Sequence, residues 1–291
     1  EVVSLKAGKA DRMLQIVVGI LELTGLLLLY SASAYNGRVR FSDSGYYLKK
    51  QLFAAVLGLT GMWIISRIDY HKTARMSLMI YLASMLLSGA VLLVGDTYNG
   101  SRRWLSVGPL SFQPSELAKP AVILFLSGII SKKEKNGSSL WSLIWCIILV
   151  LPIVALVGTN NLSTAVIILG IAVILAFVSR PGYAQFLWIG LSGTGFVTIF
   201  LSMEQYRLER LEIWKNPEIH EKGFQTIQGL YAIGSGGLFG TGLGNGIQKL
   251  GFVPEAQNDM IFSIVCEETG FVGAILLLLL FLLLIWRLVA I

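Results

Sequence analysis

Eight apolar runs, each near the length of a bilayer crossing and parted by polar loops, leave this chain little freedom of fold. They cover residues 13–34, 51–68, 76–95, 117–131, 140–158, 162–179, 185–203 and 260–286. Lipid offers the backbone no hydrogen-bond partner, so such runs fold as helices that satisfy themselves. The reading is all-α: a polytopic helical membrane protein with about eight transmembrane helices, at about 20 residues per crossing. A long polar stretch, 204–258, stands on the outer side before the last span and includes amphipathic helix patterns. Only 14% of residues are charged and 55% are hydrophobic, whereas a soluble domain carries charge on about a quarter of its residues. No soluble second domain and no solenoid period stand out, so residues 1–291 read as one integral membrane domain.

The net charge of +6 could suggest nucleic acid in a soluble chain. Here the excess base falls in short loops, so the bilayer is the partner and nucleic acid is not. With the N-terminus inside, the inner side receives Lys6, Lys9 and Arg12, then Arg67, Lys72 and Arg75, then Lys132, Lys133 and Lys135, then Arg180 and Arg287. The positive-inside rule therefore puts the N-terminus in the cytoplasm. Arg38, Arg40, Lys49 and Lys50 fall outside under this assignment. The first run is too long for a signal-peptide core and reads as a retained helix. A first residue of Glu1 in place of methionine points to a processed or trimmed start. Cys146 and Cys266 lie in apolar runs and read as buried thiols, not as a disulfide or metal ligands.

Asp259 is the sharpest chemical candidate. It stands where the polar stretch becomes the last apolar run, within reach of a substrate presented at the lipid surface. A competing reading makes it the N-cap of that helix. Glu267 and Glu268 sit inside the run, and ionisable residues at bilayer depth are functional candidates by default. Glu116 and Lys119 are three apart, so they share a helix face behind the cap candidate Ser115. Lys119 could pair with an anionic ligand or with Glu268, or snorkel as an ordinary interfacial lysine. Arg102, Arg103 and Trp104 lie in the loop between the third and fourth runs, where paired arginines suit phosphate and Trp suits the interface. In the long stretch Arg207 and Arg210 are spaced i, i+3, and Phe224, Ile227 and Tyr231 share one face of a helix suited to the membrane surface. The glycines between 234 and 246 lack any phosphate-loop pattern and read as close backbone packing or a lid hinge. His220 has no second ligand near it in the sequence.

Four segments taken together are similar to one family. They are Ser101-Arg102-Arg103-Trp104-Leu105, Gln113-Pro114-Ser115-Glu116-Leu117-Ala118-Lys119, the run from Gly223 to Gly237, and Pro254-Glu255-Ala256-Gln257-Asn258-Asp259-Met260-Ile261-Phe262. In this order they resemble the SEDS proteins (shape, elongation, division and sporulation), the FtsW and SpoVE branch more than RodA, over essentially the whole chain. The resemblance implies a peptidoglycan glycosyltransferase that polymerises lipid II at the outer face of the bacterial cytoplasmic membrane. It implies a class B penicillin-binding protein transpeptidase and other divisome membrane proteins as partners. No cofactor is implied with certainty, and help from a divalent cation stays open. The family's essential aspartate matches Asp259. Lys119, Glu116, Arg102, Arg103, Trp104, Arg207, Arg210, Lys249 and Glu268 form the pool of substrate-groove residues. Three departures stand out. Gln257-Asn258 replaces the family's His-Thr before the aspartate. Asn160-Asn161-Leu162-Ser163-Thr164 replaces Pro-Asp-Leu-Gly-Thr. About ten spans are expected of the family, against about eight here up to Ile291, so the sequence reads either as truncated or as an incomplete form.

The implied chemistry is general-base attack, with Asp259 taking a proton from an acceptor hydroxyl and cations steadying a diphosphate leaving group. The rival readings are a lipid II transporter or flippase, a scaffold for the crosslinking enzyme, and the same polymerase serving elongation or sporulation. A flippase needs charges through the whole depth of the membrane. Here they gather near the outer interface, which favours surface chemistry.

Overall fold

The computed structural model describes residues 11–98, 101–107, 110–133, 140–179, 190, 209 and 212–290. Its helices are α1 (Arg12–Phe41), α2 (Tyr46–Ser66), α3 (Tyr70–Val94), α4 (Pro114–Lys133), α5 (Leu140–Gly158), α6 (Leu162–Ser179), α7 (Phe224–Ser235) and α8 (Ile261–Ala290). Among the described residues five helices, α1, α2, α3, α4 and α8, are long and apolar enough to cross a membrane. Helices α5 and α6 carry shorter apolar stretches, and the expected run over 185–203 lies outside the described residues except for 190. The helical polytopic architecture expected from the sequence is present.

The helix ends follow local chemistry. Asp11 caps α1 by accepting from the Leu14 N–H at 2.8 Å, and Ser42 ends it in the left-handed region with its N–H on the Arg38 carbonyl. Asp69 caps α3 through the His71 N–H. Helix α4 begins one residue before Ser115, with Pro114 in the first position, where its missing N–H costs nothing. Ser115 therefore is not the cap; its Oγ instead accepts from the Gln113 amide at 2.8 Å.

The chain divides into two compact units. The first joins Glu1–Trp63 to Phe200–Ile291, and the second is Ile64–Ile199.

The second unit packs α3, α4, α5 and α6 around Tyr81, Val122, Leu126, Val150, Ile153 and Ile168, all buried. Tyr81 stacks on Phe125 with ring centroids 4.5 Å apart and donates its hydroxyl to the Leu149 carbonyl at 2.6 Å. The segment between α3 and α4, expected as a loop, is a three-stranded antiparallel meander. It consists of β1 (Asp96–Tyr98), β2 (Ser101–Val107) and β3 (Leu110–Phe112), in the order β1-β2-β3.

In the first unit α1 and α8 run antiparallel. Arg287 near the end of α8 pairs with Asp11 at the head of α1, and Ser31 meets Glu268 at the other end. Helix α8 is not one continuous span. Gly270 has φ 66° and ψ −170° and breaks it. Residues 271–290 alone are about 20 residues, or about 30 Å of helix, which matches the hydrocarbon thickness. Glu267 and Glu268 thus precede that stretch. The glycine-rich segment fills the break. Thr241 and Gly242 donate N–H to the carbonyls of Glu267 and Glu268 at 2.9 and 3.0 Å, while Phe271 and Val272 donate to Gly237 and Leu238 at 2.9 and 3.1 Å. Close backbone packing, one of the two roles weighed for these glycines, is what they perform. Helix α7 lays Gly229 and Ala232 inward and leaves Phe224 and Tyr231 exposed, as an interfacial helix does.

Candidate active site

Asp259 stands in the turn that leads into α8, one residue before Met260 and outside the helix, and is exposed. Its carboxylate has no hydrogen-bond or ion-pair partner among the described side chains and backbone groups, so the capping reading finds no bond to support it. A carboxylate left free and wet at the head of a membrane helix can accept a proton from a hydroxyl brought to it.

The turn beneath it is tied down. Glu255 takes the left-handed conformation at φ 49°, a strained choice for a residue with a side chain. Its carboxylate accepts from the Gln257 amide at 3.2 Å and the Asn258 amide at 2.8 Å and pairs with Arg40 at 3.6 Å. Buried Gln257 also accepts from the Asn36 amide of α1 at 2.8 Å. The two residues that depart from the family's His-Thr are thus the ones that hold the turn.

Lys249 and Glu268 come together as a buried ion pair, 5% and 1% exposed. Ser31 of α1 completes the cluster. It accepts from Lys249 Nζ at 2.8 Å and donates to the Glu268 carboxylate at 2.7 Å. Glu267 Oε1 accepts from the backbone N–H groups of Ile247 and Gln248 at 2.7 and 3.1 Å. A cleft of about 450 Å³ opens at the cluster, lined by Ser31 and Lys249 together with Tyr30, Tyr35, Arg38 and Leu243.

In the second unit Lys119 pairs with Glu116 at 2.8 Å. The pairing of Lys119 with Glu268 weighed from the sequence is replaced by these two separate pairs. Arg103 donates to the Asn160 carbonyl at 2.7 Å, and Arg102 to the Leu92 carbonyl at 3.2 Å. Both carbonyls lie at helix C-terminal ends, where cations are favoured. Asn160 answers by donating to the Arg102 carbonyl at 3.1 Å, and Asn161 accepts from the Thr164 N–H at the head of α6 at 3.2 Å. The two arginines thus fasten the meander to helix ends. Half-buried Trp104 sits opposite Asp96 in the sheet. Arg207 and Arg210 lie outside the described residues. Among the described residues no three His, Cys, Asp or Glu side chains gather as a metal set.

Ser31 and Asn36 escape a reading by motif. The available signal is weak: two polar side chains in a helix that also carries Gln15, Glu22, Thr24, Ser33, Arg38 and Arg40.

Residues 11–291 match the FtsW/RodA/SpoVE family of cell cycle proteins. The chain belongs to this family. It is 38% identical over 294 residues to stage V sporulation protein E of Bacillus subtilis (strain 168), covering 97% of this chain and 79% of the relative. It is 32% identical over 285 residues to a probable peptidoglycan glycosyltransferase FtsW of Geobacter sp. (strain M18), covering 95% and 77%. Among solved structures it is similar to a chain of a peptidoglycan synthase complex studied for its coordination of polymerization and crosslinking, with a TM-score of 0.75 and 27% identity over 96% of this chain and 77% of that one. It is also similar to the rod shape determining protein RodA of Thermus thermophilus, with a TM-score of 0.67 and 28% identity over 96% and 74%.

Proposed function

We propose that this FtsW/RodA/SpoVE member is a peptidoglycan glycosyltransferase that polymerises lipid II, with Asp259 as its general base. The observation that carries the site assignment is the free, exposed carboxylate of Asp259 on a turn where the polar side chains of Glu255, Gln257 and Asn258 are all bonded. Relatives named as peptidoglycan glycosyltransferases support the reaction class. Asp259 removes the proton from the acceptor's GlcNAc 4-hydroxyl. The oxygen forms a bond to the anomeric carbon of the donor MurNAc, the bond from that carbon to the diphosphate oxygen breaks, and undecaprenyl diphosphate leaves with the electron pair. Work in cell division beside a class B penicillin-binding protein, with the N-terminus in the cytoplasm and Asp259 outside, fits the same reading. Transport draws less support, because Glu267, Glu268 and Lys119 all have bonded partners within the protein.

The test is polymerisation of fluorescent lipid II by the purified protein with a class B partner, wild type against Asp259→Asn. General-base help is worth about 10²–10⁴-fold. Glycan ladders from wild type and a loss in that range from the variant are expected. Equal ladders from both proteins would remove Asp259 from the mechanism, and none from either would remove the polymerase reading.

A further inference from the structure

The geometry points to Lys249, Glu268 and Ser31 as a buried clamp that positions Asp259, not as groups that touch substrate. This inference rests on Asp259 being the reacting carboxylate. Lys249 lies ten residues before Asp259 and Glu268 nine residues after it. Their ion pair therefore closes the base of a hairpin that carries Asp259 near its apex. Both side chains are buried, and their polar contacts are with each other and with Ser31. Ser31 and Lys249 stand at the wall of the cleft, but two of the three Lys249 donors are already spent on Ser31 and Glu268.

Helix α1 is the rail along which the hairpin is laid. Ser31 holds the base, Asn36 holds Gln257, and Arg40 holds Glu255. From residue 31 to residue 40 the rail climbs about 14 Å at 1.5 Å per residue. The three attachments fix how far the apex stands from the break at Gly270. A shift of about 1 Å in a reacting group can cost about 100-fold in rate, so a loosened base is felt at the apex without any lost substrate contact.

The physics of buried pairs separates this role from a direct one. Removing one partner strands a charge, whereas removing both together is close to neutral. The experiment compares Lys249→Met, Glu268→Gln, the double variant and the milder Ser31→Ala. It measures lipid II polymerisation with kcat and KM separated, and backbone hydrogen exchange over residues 249–260. The expected result is that each single charge variant lowers kcat by at least about tenfold, leaves the KM for lipid II within about twofold, and speeds exchange over 249–260. The double variant recovers at least about fivefold over the worse single, with exchange returned toward wild type. Ser31→Ala shows the same pattern more weakly and keeps the test open if a single charge variant does not fold.

A rise in KM with unchanged exchange, and a double variant as poor as Lys249→Met, would make Lys249 a substrate cation and end the clamp reading. Should the wild type form no glycan, the proposed activity fails, and exchange alone then decides the clamp. Equal exchange in single and double variants would overturn it.

Discussion

Gly270→Ala tests whether the break in α8 carries the first unit. An added Cβ at Gly270 would lie 2.3 Å from the Gly240 nitrogen and 2.6 Å from the Leu238 carbonyl oxygen. Both are backbone atoms and cannot swing aside. The backbone there also has a positive φ that side chains rarely adopt, which costs about 1–3 kcal/mol when imposed on a non-glycine residue. If the glycine-rich segment moves away to relieve the clash, four hydrogen bonds across the break go with it, at about 1 kcal/mol each. The total is about 5–7 kcal/mol, a large share of the roughly 5–15 kcal/mol that holds an ordinary domain together. Thermal melting in detergent should drop by at least about 10 °C, taking about 2–4 °C per kcal/mol for a unit of this size. Gly234→Ala is the control. It lies in α7 with no atom within 4 Å of the added Cβ and should melt level with or slightly above wild type, since Ala favours helix by up to about 1 kcal/mol. Gly270→Ala melting within about 2 °C of wild type would refute the idea that the break is locked by backbone contact.

Tyr81→Phe in the second unit removes the donor to the Leu149 carbonyl at 2.6 Å and keeps the stack on Phe125. It should cost about 0.5–1.5 kcal/mol, readable by denaturation, because one hydrogen bond to that helix carbonyl is lost. Asp43 is held below its ordinary value of 3.8 by its bond to Lys49 and then by the Gly45 N–H. A lowered folded-state pKa adds stability above the unfolded value, and that stability is lost as pH falls through 3.8 and below. Stability of Asp43→Asn against pH should therefore fall less steeply on the acid side than wild type.

The spans were legible because apolar length is a strong signal, and the place of Asp259 just ahead of the last helix because the end of the polar stretch marks where that run begins. The meander was not. Strands of 3, 7 and 3 residues are too short for alternation to show among turn residues. Nor was the break in α8, since one glycine in an apolar run is tolerated in a helix and only the partner segment gives it a left-handed φ. Arg102 and Arg103 look alike in sequence whether they meet a phosphate or a helix-end carbonyl. That choice was made by Asn160, some 57 residues away. Glu268 found Lys249 because Ser31, 237 residues earlier, completes a site that no local pattern announces.

The first unit is discontinuous, built from the beginning and the end of the chain with 64–199 between. During synthesis Ser31 emerges 237 residues before Glu268. At about 5–20 residues per second, α1 waits roughly 10–50 s in the membrane with its polar groups unmatched. Lys249 likewise leaves the ribosome ahead of its carboxylate. A nascent chain that stalls before residue 268 thus displays an unclosed hairpin and a lysine without its carboxylate. The pair thus acts as a timer: only a chain translated past residue 268 can bury both of its charges.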